Sequence, residues 1–318
     1  MDNKTTTWHD FSWDYRAARV LQIANKIDIF TTLSDKEMSS EQLCQRCHTK
    51  PDMTEKLLVA CTAMGLLQKR GHRYSNTELA KTYLVRGQKL YQGNIIAHSS
   101  ATWNFWNNLA DEILLEPAPR DKEADKHRNF IMGMHNIAVA GRAEAFTDHI
   151  DLSGRKNLFD VGGGPGTYAI AACRRFPKLK AVVFDLPETI AIAKEVIAAE
   201  GMQGRVTTQA GNWETDAFNE DNDVVLLSNV LHGPDSKAEI KLKKAYDSMV
   251  DGGLLMMQDF LLNDEKTGPL IPALFNIMVG AYSRCELLSL IEDAGFVHAK
   301  VVASSQEIGF TWITAEKP

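Results

Sequence analysis

The stretch NLFDVGGGPGT, residues 157–167, decides how the chain is read. Leu158, Phe159 and Val161 form a short apolar run that ends abruptly in glycine. This is the pattern of a buried strand running into a tight turn. Gly162 and Gly164 permit the turn and a close approach of backbone to a ligand. The spacing is G-x-G-x-G, from Gly162 through Gly164 to Gly166. A dinucleotide fingerprint needs its third glycine one residue later, where Thr167 stands, so a nicotinamide oxidoreductase is disfavoured. Asp160 sits two residues before the first glycine. An acid there suits a ligand carrying positive charge better than a pyrophosphate.

Downstream the grammar alternates. GTYAIAACRRF reads as a helix, KAVVFDLP as a strand and ETIAIAKEVIAAEG as a helix. RVTTQAG, DVVLLSNVL and GGLLMMQDFL read as three more buried strands. A helix is expected after each of the last two, around 235–250 and 283–294. HAKVVAS and GFTWITA close the chain as a hairpin. The expected fold class is α/β, with a doubly wound, mostly parallel Rossmann-like sheet. In such sheets ligands bind beyond the carboxyl ends of the strands.

Candidate site residues therefore sit at strand ends. Asp185, 25 residues after Asp160, is placed to hold ribose hydroxyls; the competing reading is a helix-capping role before Pro187. Gly211, Asn212 and Trp213 follow the third strand, with Asn212 able to hydrogen-bond an adenine edge and Trp213 to lie against it. Ser228 ends the fourth strand. His232, just beyond, is the candidate general base, since its reference pKa lies near operating pH. Asp259 ends the fifth strand and is placed to orient the imidazole.

The first 150 residues read differently. Residues 11–33 place apolar groups at helical spacing over one amphipathic helix. Ser39 or Ser40 caps a helix that runs through CQRCH, residues 44–48, and Pro51 opens another. Leu66 to Ser75 read as strand, turn, strand, so the module is a winged helix. CQRCH spells a c-type haem signature, but haem attachment needs export and zinc needs four ligands. Leu43 and Cys47 are read as pointing into a small core. The second helix of the module, DMTEKLLVACTAMG, is too apolar for base-edge readout, and the net charge of -6 disfavours nucleic acid. Residues 91–149 read as helical, with a break near EPAPRD (116–121). TWNFW (102–106) and FIMGMHNIAVAG (130–141) are core stripes or the walls of an apolar pocket. The expected division is 1–90 winged helix, 91–150 helical connector and 151–318 cofactor-binding domain. No apolar leader or run of 18 apolar residues is visible, and five dispersed cysteines suit a cytoplasmic protein with free thiols.

Together these stretches resemble the S-adenosylmethionine-dependent O-methyltransferases of the hydroxyindole and caffeate type. The resemblance runs from the winged helix through DVGGGPGT, FDLP, GNW and VLH to EDAGF at 292–296. It implies S-adenosyl-L-methionine as cofactor, no metal, and a homodimer built by the winged helix. It implies that Gly162 and Gly164 meet the methionine part, Asp185 and Leu186 the ribose and adenine, and Asn212 and Trp213 the adenine. His232 is then the base for a small aromatic or polyketide-like hydroxyl, with Phe130, Met134, Phe275, Met278 and Tyr282 as candidate pocket walls. Three positions depart from the family pattern. Asn212 replaces the usual Asp, Gly233-Pro234-Asp235 replaces Asp-Trp after the histidine, and Ala281 stands where a second acid is usual. Asp259 then serves alone. The rivals are carbon or nitrogen methylation on the same fold, and a non-catalytic cofactor-binding regulator.

Overall fold

The computed structural model of the chain describes residues 8–116, 122–305 and 309–318. It divides into two compact units, 1–119 with 262–281, and 120–261 with 282–318. Residues 120–150, read from sequence as connector, thus go with the second unit, and the excursion 262–281 goes with the first.

In the first unit the amphipathic stretch 11–33 is three helices, Trp8–Trp13, Tyr15–Lys26 and Ile29–Thr32. The expected single helix breaks at Asp28, whose φ of 60° is left-handed. Ser39 caps the helix Ser40–Cys47 with a full capping box: its hydroxyl accepts from the N–H of Gln42, whose side chain accepts from the N–H of Ser39. Pro51 occupies the first turn of the helix Pro51–Ala63, where its missing N–H costs nothing. The strands Leu67–Arg70 and Arg73–Asn76 make the wing, and Met38–Ser39 adds a third strand beside the latter. Leu43, Leu58, Cys61, Leu67 and Tyr74 fill the core. Cys44 is the buried cysteine of CQRCH, its Sγ 2.6 Å from the carbonyl of Thr49, while Cys47 is half-buried. Leu43 lies in that core and Cys47 packs against it, as expected from sequence, so the pair is packing.

The helices Gly93–Ala101, Trp103–Asn107 and Leu109–Ile113 follow. Phe105 and Trp106 are exposed, so TWNFW is not core. The expected break at 116–121 lies, from 117 onward, outside the described residues. Sequence reading missed the helix Leu270–Val279. Its Leu274 and Ile277 pack on the first unit's core, and Ala273 joins Val59, Leu262 and Ala281 in a small cluster of their own.

The second unit opens with the helices Glu123–Ile137 and Ala143–His149, joined by one π-helical turn at Ala138–Arg142. Its seven-stranded sheet uses Asn157–Val161, Lys180–Asp185, Val206–Ala210, Asn222–Ser228, Met249–Asp259, Val297–Ser305 and Phe310–Glu316. We call these β1 to β7. The order is β3-β2-β1-β4-β5-β7-β6. β1 to β5 are parallel; β7 inserts antiparallel between β5 and β6, completing the expected hairpin. Both faces are covered. Leu158, Val183, Leu226 and Met256 point to one core, and Phe159, Val225, Leu255 and Ile313 to the other. That explains why the strands read as continuous apolar runs rather than alternating ones. The carboxyl ends of β1, β2, β4 and β5 carry Asp160, Asp185, Ser228 and Asp259 along one edge.

Candidate active site

The glycine loop leaves β1 through three left-handed glycines, Gly162, Gly164 and Gly166. Gly162 donates its N–H to the carbonyl of Phe184 at 2.7 Å, tying the loop to β2. A Cβ at Gly162 would lie 2.6 Å from the Trp213 ring and 2.7 Å from Val230, so only glycine fits. Gly164 faces open space and is there for its φ of 56°.

Two acids flank the loop. Asp160 is fully buried, and neither carboxyl oxygen has a hydrogen-bond partner among the described residues. Burial, and then the neighbouring Asp185, push its pKa up from 3.8 to about 7. Asp185 accepts from the N–H of Gly164 at 2.9 Å and from its neighbour Leu186 at 2.7 Å. Burial holds its pKa above the ordinary value in spite of those donors. So Asp185 orders the turn between loop and helix. Its side chain does not cap the helix Pro187–Ala199, whose N-cap is Leu186. Leu186 itself is 37% exposed beside it.

Beyond β3, Gly211 packs against Phe184, where a Cβ would come within 2.3 Å of the ring. Asn212 spends its Oδ1 on the N–H of Glu214, so that atom closes a turn. Trp213 is fixed by Lys241, whose Nζ lies 4.4 Å from the ring centroid and donates to the Val230 carbonyl at 2.8 Å. Burial lowers the pKa of Lys241. Ser228 accepts from the side-chain amide of Asn229 at 3.3 Å.

His232 and Asp259 are brought together. His232 Nδ1 lies 2.7 Å from Asp259 Oδ1. Asp259 is 3% exposed and also accepts the N–H groups of Leu231 (3.1 Å) and Phe260 (2.9 Å). Its oxygens accept from those two donors, and a neutral imidazole that donates Nδ1–H to it carries its lone pair on Nε2. The Phe260 ring stacks on the imidazole at 5.0 Å and 12°. Two restraints, one polar and one apolar, therefore fix the ring plane.

The candidate pocket walls come from both units. Phe130 and Met134 are exposed on the helix Glu123–Ile137. Tyr282 is buried in the second unit's core. Phe275 meets Trp13 edge-on in the first unit, and Met278 lines a cavity there. Sequence reading also missed Phe260 and Lys241. Phe260 adjoins Asp259 directly, a usable signal. Lys241 sits in the charged run EIKLKK, which gives no hint of burial.

A Rossmann-like sheet with a G-x-G-x-G loop and an acid at the end of each of its first two strands defines a methyltransferase fold. Residues 112–297 match the O-methyltransferase domain family, and residues 10–86 match the O-methyltransferase dimerisation domain. The chain belongs to the O-methyltransferase family and is an S-adenosylmethionine-dependent methyltransferase. It is 33% identical over 305 residues to 3-hydroxy-5-methyl-1-naphthoate 3-O-methyltransferase of Streptomyces sahachiroi, covering 89% of this chain and 87% of that one. A solved O-methyltransferase family 2 protein from Planctomyces limnophilus, in complex with apigenin, superposes with a TM-score of 0.81 at 27% identity, covering 97% of this chain and 95% of that one. Human N-acetylserotonin methyltransferase, solved in complex with SAM, shares the fold at a TM-score of 0.56 and 23% identity, covering 99% of both chains. Among the described residues no helix is long and apolar enough to cross a membrane.

Proposed function

We propose that the chain methylates a hydroxyl of a small aromatic or polyketide-like molecule, with His232 as general base and Asp259 as its positioning partner. The observation that carries this reading is the 2.7 Å contact of His232 Nδ1 with the thrice-satisfied Asp259. It leaves Nε2 as the basic atom, on a ring that cannot turn away. The relatives support the substrate class, since a naphthoate and apigenin are named with them.

S-adenosylmethionine, when bound, supplies a methyl group on an electrophilic sulfonium. The residues fit it. Asp160 is a buried carboxyl without a partner, suited to a cationic ligand. Gly162, with no room for a Cβ against Trp213 and Val230, keeps its backbone bare at the turn. Asp160, Gly162, Gly164, Asp185, Leu186, Gly211, Asn212, Trp213 and Ser228 hold the cofactor in this reading, with Asn212 using its remaining amide N–H₂. His232 Nε2 takes the acceptor's hydroxyl proton, and Asp259 stabilises the imidazolium that results. Deprotonation makes the oxygen nucleophilic, and the fixed ring plane supplies orientation. The dimerisation domain supports a homodimer, and the chain's composition a cytoplasmic protein.

The test is calorimetric titration of S-adenosylhomocysteine into wild type and His232→Ala, with a phenol-panel methylation assay by mass shift. Equal binding with methylation confined to wild type is expected. Equal methylation by both would remove His232 as base and move a carbon or nitrogen acceptor ahead.

A further inference from the structure

Lys241 is a buried cation that the reaction above does not use. It is 5% exposed, and lysine is almost never fully buried unless it is paired. Among the described residues its Nζ meets no carboxylate. Its partners are the Val230 carbonyl at 2.8 Å and the Trp213 ring at 4.4 Å. It belongs to a face of three lysines, 237, 241 and 244, spaced i, i+4 and i+7 along the helix Ala238–Ser248 and its N-cap. The outer two are spent on the loop after β3. Lys237 pairs with Glu214 at 2.8 Å, and Lys244 donates to the carbonyls of Trp213 (2.7 Å), Glu214 (2.9 Å) and Asp216 (3.1 Å).

The counter-charge of Lys241 lies one peptide away. The Val230 carbonyl and the Leu231 N–H belong to a single trans peptide and point in opposite directions. Asp259 accepts that N–H at 3.1 Å through one oxygen, and its other oxygen meets His232 Nδ1 at 2.7 Å. One peptide unit is thus held between a buried ammonium at its oxygen and a buried carboxylate at its nitrogen. Each charge meets the end of the dipole that it favours. Burial lowers the pKa of Lys241, Glu214 and then Asp259 oppose that, and Lys237 adds to it. Glu214 is already paired with Lys237, so Asp259 is the acid left to balance Lys241. A methionine would fill the same space without the cost of a buried charge.

We propose that Lys241 is the positioning residue of the His232–Asp259 pair, its ammonium balancing Asp259 through the Val230–Leu231 peptide and fixing the stretch that carries the imidazole. Its bearing on methyl transfer rests on the reading of His232 as base; the charge pair itself does not. Without the ammonium, Asp259 is a lone buried charge beside the imidazole, and a protonated ring is favoured.

The experiment uses the full chain and needs no methyl acceptor. Unfolding in denaturant is measured for wild type, Lys241→Met, Asp259→Asn and the double variant. The two single losses should exceed the double loss by a factor of at least about five in the unfolding constant, because coupled groups do not add. Additive losses overturn the proposal and leave Lys241 a support for Trp213 alone. If Lys241→Met does not fold, folding restored by adding Asp259→Asn supports the pair, and a double variant that also fails overturns it. Histidine-ring NMR reads the positioning, with the His232 signal identified by its loss in His232→Ala. In Lys241→Met the pH at which that signal titrates should rise by about half a unit or more. In Lys241→Arg, which keeps the cation, it should stay at the wild-type value. An unmoved titration in Lys241→Met, or an equal rise in Lys241→Arg, overturns the proposal. Methylation by His232→Ala at the wild-type rate would instead sink the base reading and leave the charge pair standing.

Discussion

Asp160 makes the protein's stability depend on pH in an unusual direction. Its pKa is about 7 in the folded chain against an ordinary 3.8. Between those values the native state holds a proton that the unfolded state has released. Stability therefore falls as pH rises, the reverse of the usual salt-bridged carboxylate. A shift of about 3 pKa units corresponds to roughly 4 kcal/mol in all, of which about 2.5 kcal/mol falls between pH 5 and pH 8. For a cooperative unit of this size that is a fall in Tm of roughly 5–10 °C. Other groups titrate over the same range, so the measurement is a difference. Thermal unfolding of wild type and Asp160→Asn is followed at pH 5, 6, 7 and 8 without cofactor. The asparagine cannot ionise, so the wild-type curve should fall relative to the variant as pH rises. Parallel curves would refute the reasoning, because they would mean that Asp160 ionises at no extra cost and is solvated or paired in the native state.

Three further outcomes are expected. Gly162→Ala forces a Cβ to within 2.6 Å of Trp213 and should weaken S-adenosylhomocysteine binding at least tenfold, about 1–3 kcal/mol of overpacking; an unchanged Kd would mean the loop moves freely. Asp259→Asn should lower kcat by roughly 10²–10⁴ with cofactor affinity unaltered, because the imidazole loses its orienting acceptor, and a loss under tenfold would count against the pairing with His232. Leu58→Ala, at a fully buried position of the first unit's core, should cost about 2–5 kcal/mol in denaturant unfolding, and a loss below 1 kcal/mol would show that core to be loosely packed.

The parts of the fold that were legible are those written locally. The glycine loop, the alternation of apolar strands and amphipathic helices, and the capping signals at Ser39 and Pro51 each depend on neighbours in the chain. The candidate site was legible for the same reason, because topology sends strand ends to one edge. Asp160, Asp185 and Asp259 needed only the strands to be found. What failed depended on distant partners. LIPALFNIMV follows a proline and is apolar on nearly every side, so its periodicity names no face; only packing against the helix Pro51–Ala63 makes it an element of the first unit. Phe105 and Trp106 read as core by composition, yet no apolar surface of their own unit buries them. Asn212 was read by chemistry alone, and the turn to Glu214 had the first claim on its oxygen. Asp28 broke a helix that hydrophobic spacing carried straight through.

The excursion 262–281 sets a timetable. Val59 is buried against Leu262, Ala273 and Ala281, and Lys69 Nζ donates to the carbonyl of Glu265 at 3.0 Å. During synthesis at about 5–20 residues per second, the helix that carries Val59 is made roughly 10–40 s before the residues that cover it. Over that interval the first unit presents a bare apolar face while the sheet of the second unit is being laid down. The amino-terminal unit, begun first, is therefore completed only at residue 281, and a ribosome stalled anywhere before that residue holds a chain whose first-made part is still unfinished.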